Sequence, residues 1–252
     1  APSNNAGNNI FVYYLASQTG TVGHPSSQAL SATNGTFTGD VGIGTASPSQ
    51  KLHVAGNVYN TGFVNSAGSG TAGGYQFADG NAMIYRATND LAIKLQGTET
   101  LRINSTGAVT KPLQPAFLAI AGTEQSNIAV GSGVAVVFGT ETFDQNADFT
   151  SNTFTAPVTG KYQFNVSVNL RNVDSAASYY RVALTTSNTT YYDIFDPDFG
   201  QDAGYWTMRV CVLADMDASD TAAINILQGS GTAQTDISGN AVYTFFSGYL
   251  VA

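Results

Sequence analysis

The longest regular alternation in the chain runs over residues 161–171. Tyr162, Phe164, Val166, Val168 and Leu170 fall on one side, and Lys161, Gln163, Asn165, Ser167, Asn169 and Arg171 on the other. A period of two with one apolar set marks a strand that buries one face. Apolar-rich runs at 180–184, 207–213, 221–227 and 241–251 predict further strands, and Pro157-Val158-Thr159-Gly160 predicts the turn that feeds the long one. Many short strands separated by turn signals indicate a β-sandwich over 116–252.

Upstream the pattern thins. Leu91, Ile93 and Leu95 alternate with polar neighbours ahead of a turn at Gly97, and Leu101 and Ile103 lead into another at Gly107. Each such strand offers two or three apolar side chains, and a lone hairpin of that kind is marginal in water. Three identical chains wound together would bury those faces on a common axis. Pro112 and Pro115 punctuate the junction with the sandwich. Residues 1–35 are rich in Asn, Ser and Gly around one apolar run, Ile10, Phe11, Val12, Tyr13, Tyr14 and Leu15. With no partner strand of its own, that run reads as an attachment segment or as a disordered tail with one sticky patch. It is short and lacks a basic flank, so it does not read as a signal peptide. The predicted organisation is a terminal segment over 1–35, a shaft over 36–115 and a head over 116–252.

Composition supports an all-β chain. Charged residues make up 10% of the 252, with only three Glu and four Lys, so the usual surface of a helix is missing. The net charge of −8 is uneven: 1–115 holds five Lys/Arg against four Asp/Glu, and 116–252 holds four against thirteen. A head of net −9 does not track nucleic-acid phosphates, which need Lys and Arg. No apolar run is long enough to span a membrane as a helix. Cys211, the one cysteine, lies between Val210 and Val212 and reads as a small buried hydrophobe.

Two stretches resemble known families. The order Pro115-Ala116-Phe117-Leu118-Ala119, then Phe143, Phe149 and Phe154, then Tyr162 and Phe164, and finally Phe246-Ser247-Gly248-Tyr249-Leu250 resembles the globular head of the complement recognition protein, a jelly roll of the tumour-necrosis-factor superfamily. That resemblance implies a homotrimer that works by binding, with Tyr162 and Phe164 in the core and 246–250 as a central strand. The string from Gly39 to Val58, with Gly42-Ile43-Gly44-Thr45, Ser47-Pro48 and Lys51-Leu52-His53-Val54, is similar to a segment of bacteriophage tail and head fibres. Its physics is legible alone: the glycines admit special backbone conformations, Ser47-Pro48 starts a turn, and Leu52 and Val54 face away from Lys51 and His53. Together the two resemblances imply a virion fibre, located on the particle surface. Its terminal segment would bind a tail or capsid protein, and its head a host-surface glycan or protein.

Candidate chemistry is sparse. His24 and His53 both precede the head, no Gly-x-Ser-x-Gly elbow occurs, and neither histidine sits beside a nucleophile, so no catalytic residue is assigned. Asp193, Asp196, Asp198 and Asp202 crowd a Gly/Pro-containing stretch, a pattern able to supply oxygen ligands to Ca2+ and otherwise that of a solvated loop. Tyr191, Tyr192, Phe199, Tyr205 and Trp206 lie in the same region, 187–206, which is expected to be the variable loop surface and offers rings for a receptor. No cofactor beyond that possible calcium is expected. The alternatives are a decoration fibre without a specific receptor, a fibre tip that degrades polysaccharide, and a secreted recognition protein with no virion.

Overall fold

A computed structural model describes residues 37–61, 74–77 and 81–252. The terminal segment, with the run 10–15 and His24, lies outside the described residues. The chain divides into two units, 1–65 and 66–252. In the first, β1 (Val41–Ile43) and β2 (Leu52–Val54) form a parallel pair with Val41 opposite Leu52 and Ile43 opposite Val54. Lys51 closes the pair from outside with an ion pair of 2.7 Å to Asp40.

The second unit holds two assemblies. The first is an antiparallel meander of β3 (Gly74–Phe77), β4 (Ala82–Ala87), β5 (Asp90–Leu95), β6 (Thr98–Ile103) and β7 (Val109–Thr110). The turn expected at Gly97 is a two-residue loop, Gln96-Gly97, with both φ angles positive, which suits the right-handed twist of a hairpin. Strand register sorts the side chains by face. Tyr75, Ile84, Ile93 and Leu101 form one row, and Leu91, Ile103 and Val109 continue it on the same side. Tyr85, Ala92 and Arg102 point to the other. There Arg102 bridges Glu99 and Asp90, and Tyr85 donates to Glu99 at 3.2 Å. Those two carboxylates, Glu99 first, hold the Arg102 guanidinium pKa above its usual range.

The head comprises β8 (Ala116–Ile120), β9 (Val134–Ala135), β10 (Thr140–Gln145), β11 (Phe149–Thr150), β12 (Thr153–Thr155), β13 (Gly160–Val173), β14 (Tyr180–Thr186), β15 (Thr190–Phe195), β16 (Ala203–Met216), β17 (Thr221–Gln228), β18 (Asp236–Ile237) and β19 (Phe245–Leu250). One sheet runs β10-β8-β19-β13-β16 and the other β11-β12-β17-β14-β15. Strands from distant parts of the chain thus lie side by side in two antiparallel sheets, the jelly roll that the resemblance implies. β13 is the predicted long strand, and the predicted strand at 241–251 starts later, at Phe245, because 241–244 form a turn.

The core lies between the sheets. Tyr162, Phe164, Phe117, Phe154 and Phe246 are fully buried, with Phe117 stacked on Phe149 and Phe154 at 4.9 and 5.0 Å and edge-on to Phe246 at 4.9 Å. Gly248 of the central strand β19 sits where these rings converge: a Cβ there would lie 2.5 Å from the Phe164 ring and 2.8 Å from Phe117. The expectation for Cys211 is overturned. β16 turns Met208, Val210, Ala214 and Met216 inward, so the same period of two puts Cys211 outward, where its thiol donates to Asn165 Oδ1 at 2.9 Å.

Candidate functional site

Most of the region expected to be a variable loop, 187–206, is strand. Tyr191 and Tyr192 belong to β15, Tyr205 and Trp206 to β16, and the connection between them spans only 196–202. Period two then separates neighbours. Tyr191 packs against the core, whereas Tyr192 is exposed under the Arg181 guanidinium, 4.8 Å from its ring centre. Trp206 lies opposite Leu170 on the inner side of β16, and Tyr205 lies opposite Arg171 on the outer side.

Three of the five rings gather at one end of the sandwich. Trp206 stacks on Phe195 at 4.7 Å, Phe195 stacks on Tyr180 at 5.1 Å, and Phe199 covers Trp206 at 5.3 Å. This ladder starts at buried Tyr180 and ends in the half-exposed Phe199 and Trp206. It closes the open end of the core and presents ring surface to solvent. Phe199, Trp206 and Tyr205, with Asp202, line a shallow cavity of about 410 Å³. Tyr191 and Tyr192 do not line it.

The four aspartates are not brought together. Asp193 accepts from the Arg209 N–H at 3.0 Å, Asp196 from the Asp198 N–H at 3.2 Å, and Asp202 from Ser175 N–H and Oγ at 2.9 and 2.8 Å. The Asp193 carboxylate thus fastens β15 to β16, that of Asp202 reaches the loop after β13, and that of Asp196 caps its own loop. Among the described residues no three His, Cys, Asp or Glu side chains gather in a way that could hold a metal ion. His53 is held by Ser49, whose N–H donates to Nδ1 at 3.3 Å.

Two carboxylates that the sequence did not single out have strongly shaped environments. Asp174 is buried; burial drives its pKa up, but N–H groups of Ala233, Ala176 and Thr232 donate to it and the net shift is downward. The bonds measure 2.8, 2.9 and 2.5 Å and tie the loop after β13 to the loop after β17. Asp148 is the reverse: burial, then repulsion from Asp144, raises its pKa, and its Oδ2 has no hydrogen-bond partner. It lines a cavity of about 670 Å³ at the base of the head beside Lys111, Leu113, Val158 and Leu250. Neither residue carries a local sequence signal, because each is defined by chain segments far apart in sequence.

No protein-family model matches the chain, and no curated protein does. Among solved structures, it is similar to the globular domain of a zebrafish complement 1qA protein, at 19% identity and a TM-score of 0.41, over 55% of this chain and 98% of that one. A crystal structure of murine APRIL is similar at 10% identity and a TM-score of 0.41, over 55% of this chain and 99% of that one.

Proposed function

We propose that the chain is a homotrimeric fibre of a bacteriophage virion whose C-terminal head attaches the particle to a host surface. The observation that carries the trimer is a pair of uncovered apolar sheet faces. On the meander, Tyr75, Leu91 and Val109 are 57, 48 and 58% exposed on a side that also carries Ile84, Ile93 and Leu101. On the head, the outer side of the β10-β8-β19-β13-β16 sheet carries Phe143 and Leu118 in one row, Tyr249 and Leu213 in the next, and Ile120 and Phe245 in a third. Apolar area of this extent, held on two sheets of one chain, is stabilised by removal from water. Copies of the same chain supply matching faces that carry few charges, Arg86 on the meander and Arg209 on the head sheet among them, and three-fold closure satisfies both sheets with one repeated contact.

The virion assignment rests on the fibre-like string at 39–58, and the attachment role on the aromatic end of the head. The segment 10–15 is the proposed link to a tail or capsid protein. The reading assigns binding rather than catalysis, no cofactor, no nucleic-acid partner and no membrane insertion. It is tested by incubating the purified full chain with a panel of bacterial cells, wild type against Phe199→Ala and Tyr205→Ala. Saturable binding of wild type to some cells, reduced in folded variants, is expected. Absence of binding to every cell type that the parent particle infects would leave a decoration fibre instead.

A further inference from the structure

The other side of Tyr205 holds a second cavity, of about 660 Å³, on the outer face of the head sheet. We infer that it is a binding site for a neutral saccharide, the ligand class through which the attachment proposed above would act. The cavity lies beyond the apolar rows, where the same sheet face turns polar. Its floor is Asn169 and Thr207, joined by a 2.8 Å bond from Asn169 Nδ2 to Thr207 Oγ1. One wall is the ion pair of Arg171 with Glu124, 2.8 Å long. Tyr205 and Tyr243, 67 and 53% exposed, stand at its rim, with the Arg171 guanidinium 5.8 Å from the Tyr205 ring centre.

The cavity is built on fixed backbone. Gln125 and Ile237 exchange backbone hydrogen bonds of 3.0 and 2.9 Å, and the Ser238 N–H donates to the Asn169 carbonyl at 2.8 Å. Gly239 lets the two loops meet: a Cβ there would lie 2.3 Å from the Glu124 nitrogen. The lining is therefore held in place before any ligand arrives, which lowers the ordering cost of binding.

Its chemistry selects the ligand class. Exposed rings offer flat faces to the C–H side of a sugar, while amide, hydroxyl, guanidinium and carboxylate groups offer both donors and acceptors to its hydroxyls. The charges inside are paired, so neither sign is favoured, and the head's thirteen acidic against four basic residues repel an anion. An apolar helix or strand would leave these polar groups unpaired. The volume falls within the range of small-ligand pockets and suits one or two sugar rings.

The test is titration of the full chain with methyl glycosides of glucose, galactose, mannose and N-acetylglucosamine, plus sialyllactose as the charged arm, read by saturation-transfer NMR. At least one neutral glycoside should bind, Tyr205→Ala should weaken it about tenfold, and Tyr192→Ala, outside the cavity, should leave it unchanged. No binding by any probe, a preference for sialyllactose, or undiminished binding in Tyr205→Ala would overturn the inference. Cell binding without saccharide binding removes this site and leaves the attachment reading standing. Saccharide binding without cell binding does the opposite.

Discussion

The head and the meander are built from strands of similar pattern, yet they solve burial differently. In the head, alternation on β13 meets alternation on β14 and β17 across a second sheet, and Tyr162, Phe164 and Leu184 reach full burial. In the meander the same alternation yields one layer. Among its described residues only Met83 and Ala92 are buried hydrophobics, both on the side that carries the Arg102 ion pairs. Period two decides which side a residue faces; a core forms only if another layer covers that side. The head supplies its second layer within the chain; in the proposed trimer the meander would take it from other copies.

The largest effect expected from this contrast is on assembly. Ile93→Lys places a charge at the centre of the meander's apolar face, and an unpaired buried charge costs several kcal/mol. Light scattering should show the loss or severe weakening of the oligomer, while the head's own melting transition persists. An unaltered oligomer would mean that this face stays in water. Next comes Phe117→Ala, which empties the centre of the head's ring cluster and should cost about 3–5 kcal/mol by denaturant unfolding. A cost near zero would contradict a head that holds its own core.

Asp174→Asn probes what fastens the head's loops. Hydrogen bonds to a charged group contribute about 1.5–3 kcal/mol, so the variant should lose an amount of that order at neutral pH. The sign of the pH dependence follows from the lowered folded-state pKa. The carboxylate's contribution is complete above its unfolded value, about 4, and disappears as pH falls through the lower folded value. Wild type should therefore lose more stability than the variant on going from pH 5 to pH 2. Asp148 acts oppositely: its raised pKa makes the ionised form costly at neutral pH, a cost relieved as acid protonates it, and Asp148→Asn should raise the neutral-pH melting temperature. The smallest of these changes is Gly248→Ala, whose added methyl must displace buried rings at about 1–3 kcal/mol.

The sandwich was readable from residues 161–171 and the flanking apolar runs because its strands bury one face each, and burial writes a period of two into the sequence. The sheet order is not written that way; it entered through the order of Phe117, Phe154, Tyr162 and Phe246. The outward side of Cys211 is not legible from its apolar neighbours, which suggest an interior run; period two along β16 puts it on the outer face of the sheet. Phe199, Tyr205 and Trp206 meet at one cavity, but strand formation at 190–195 and 203–206 sets Tyr191 and Tyr192 apart from them. The polar cavity was invisible, since Glu124, Arg171, Tyr205 and Tyr243 meet only after the sheet is assembled.

Sedimentation equilibrium of the full chain at micromolar concentration shows whether copies of the chain cover its bare apolar faces. A single species of three times the chain mass that persists on tenfold dilution is expected. A folded species of one chain mass, stable and soluble at that concentration, would contradict it.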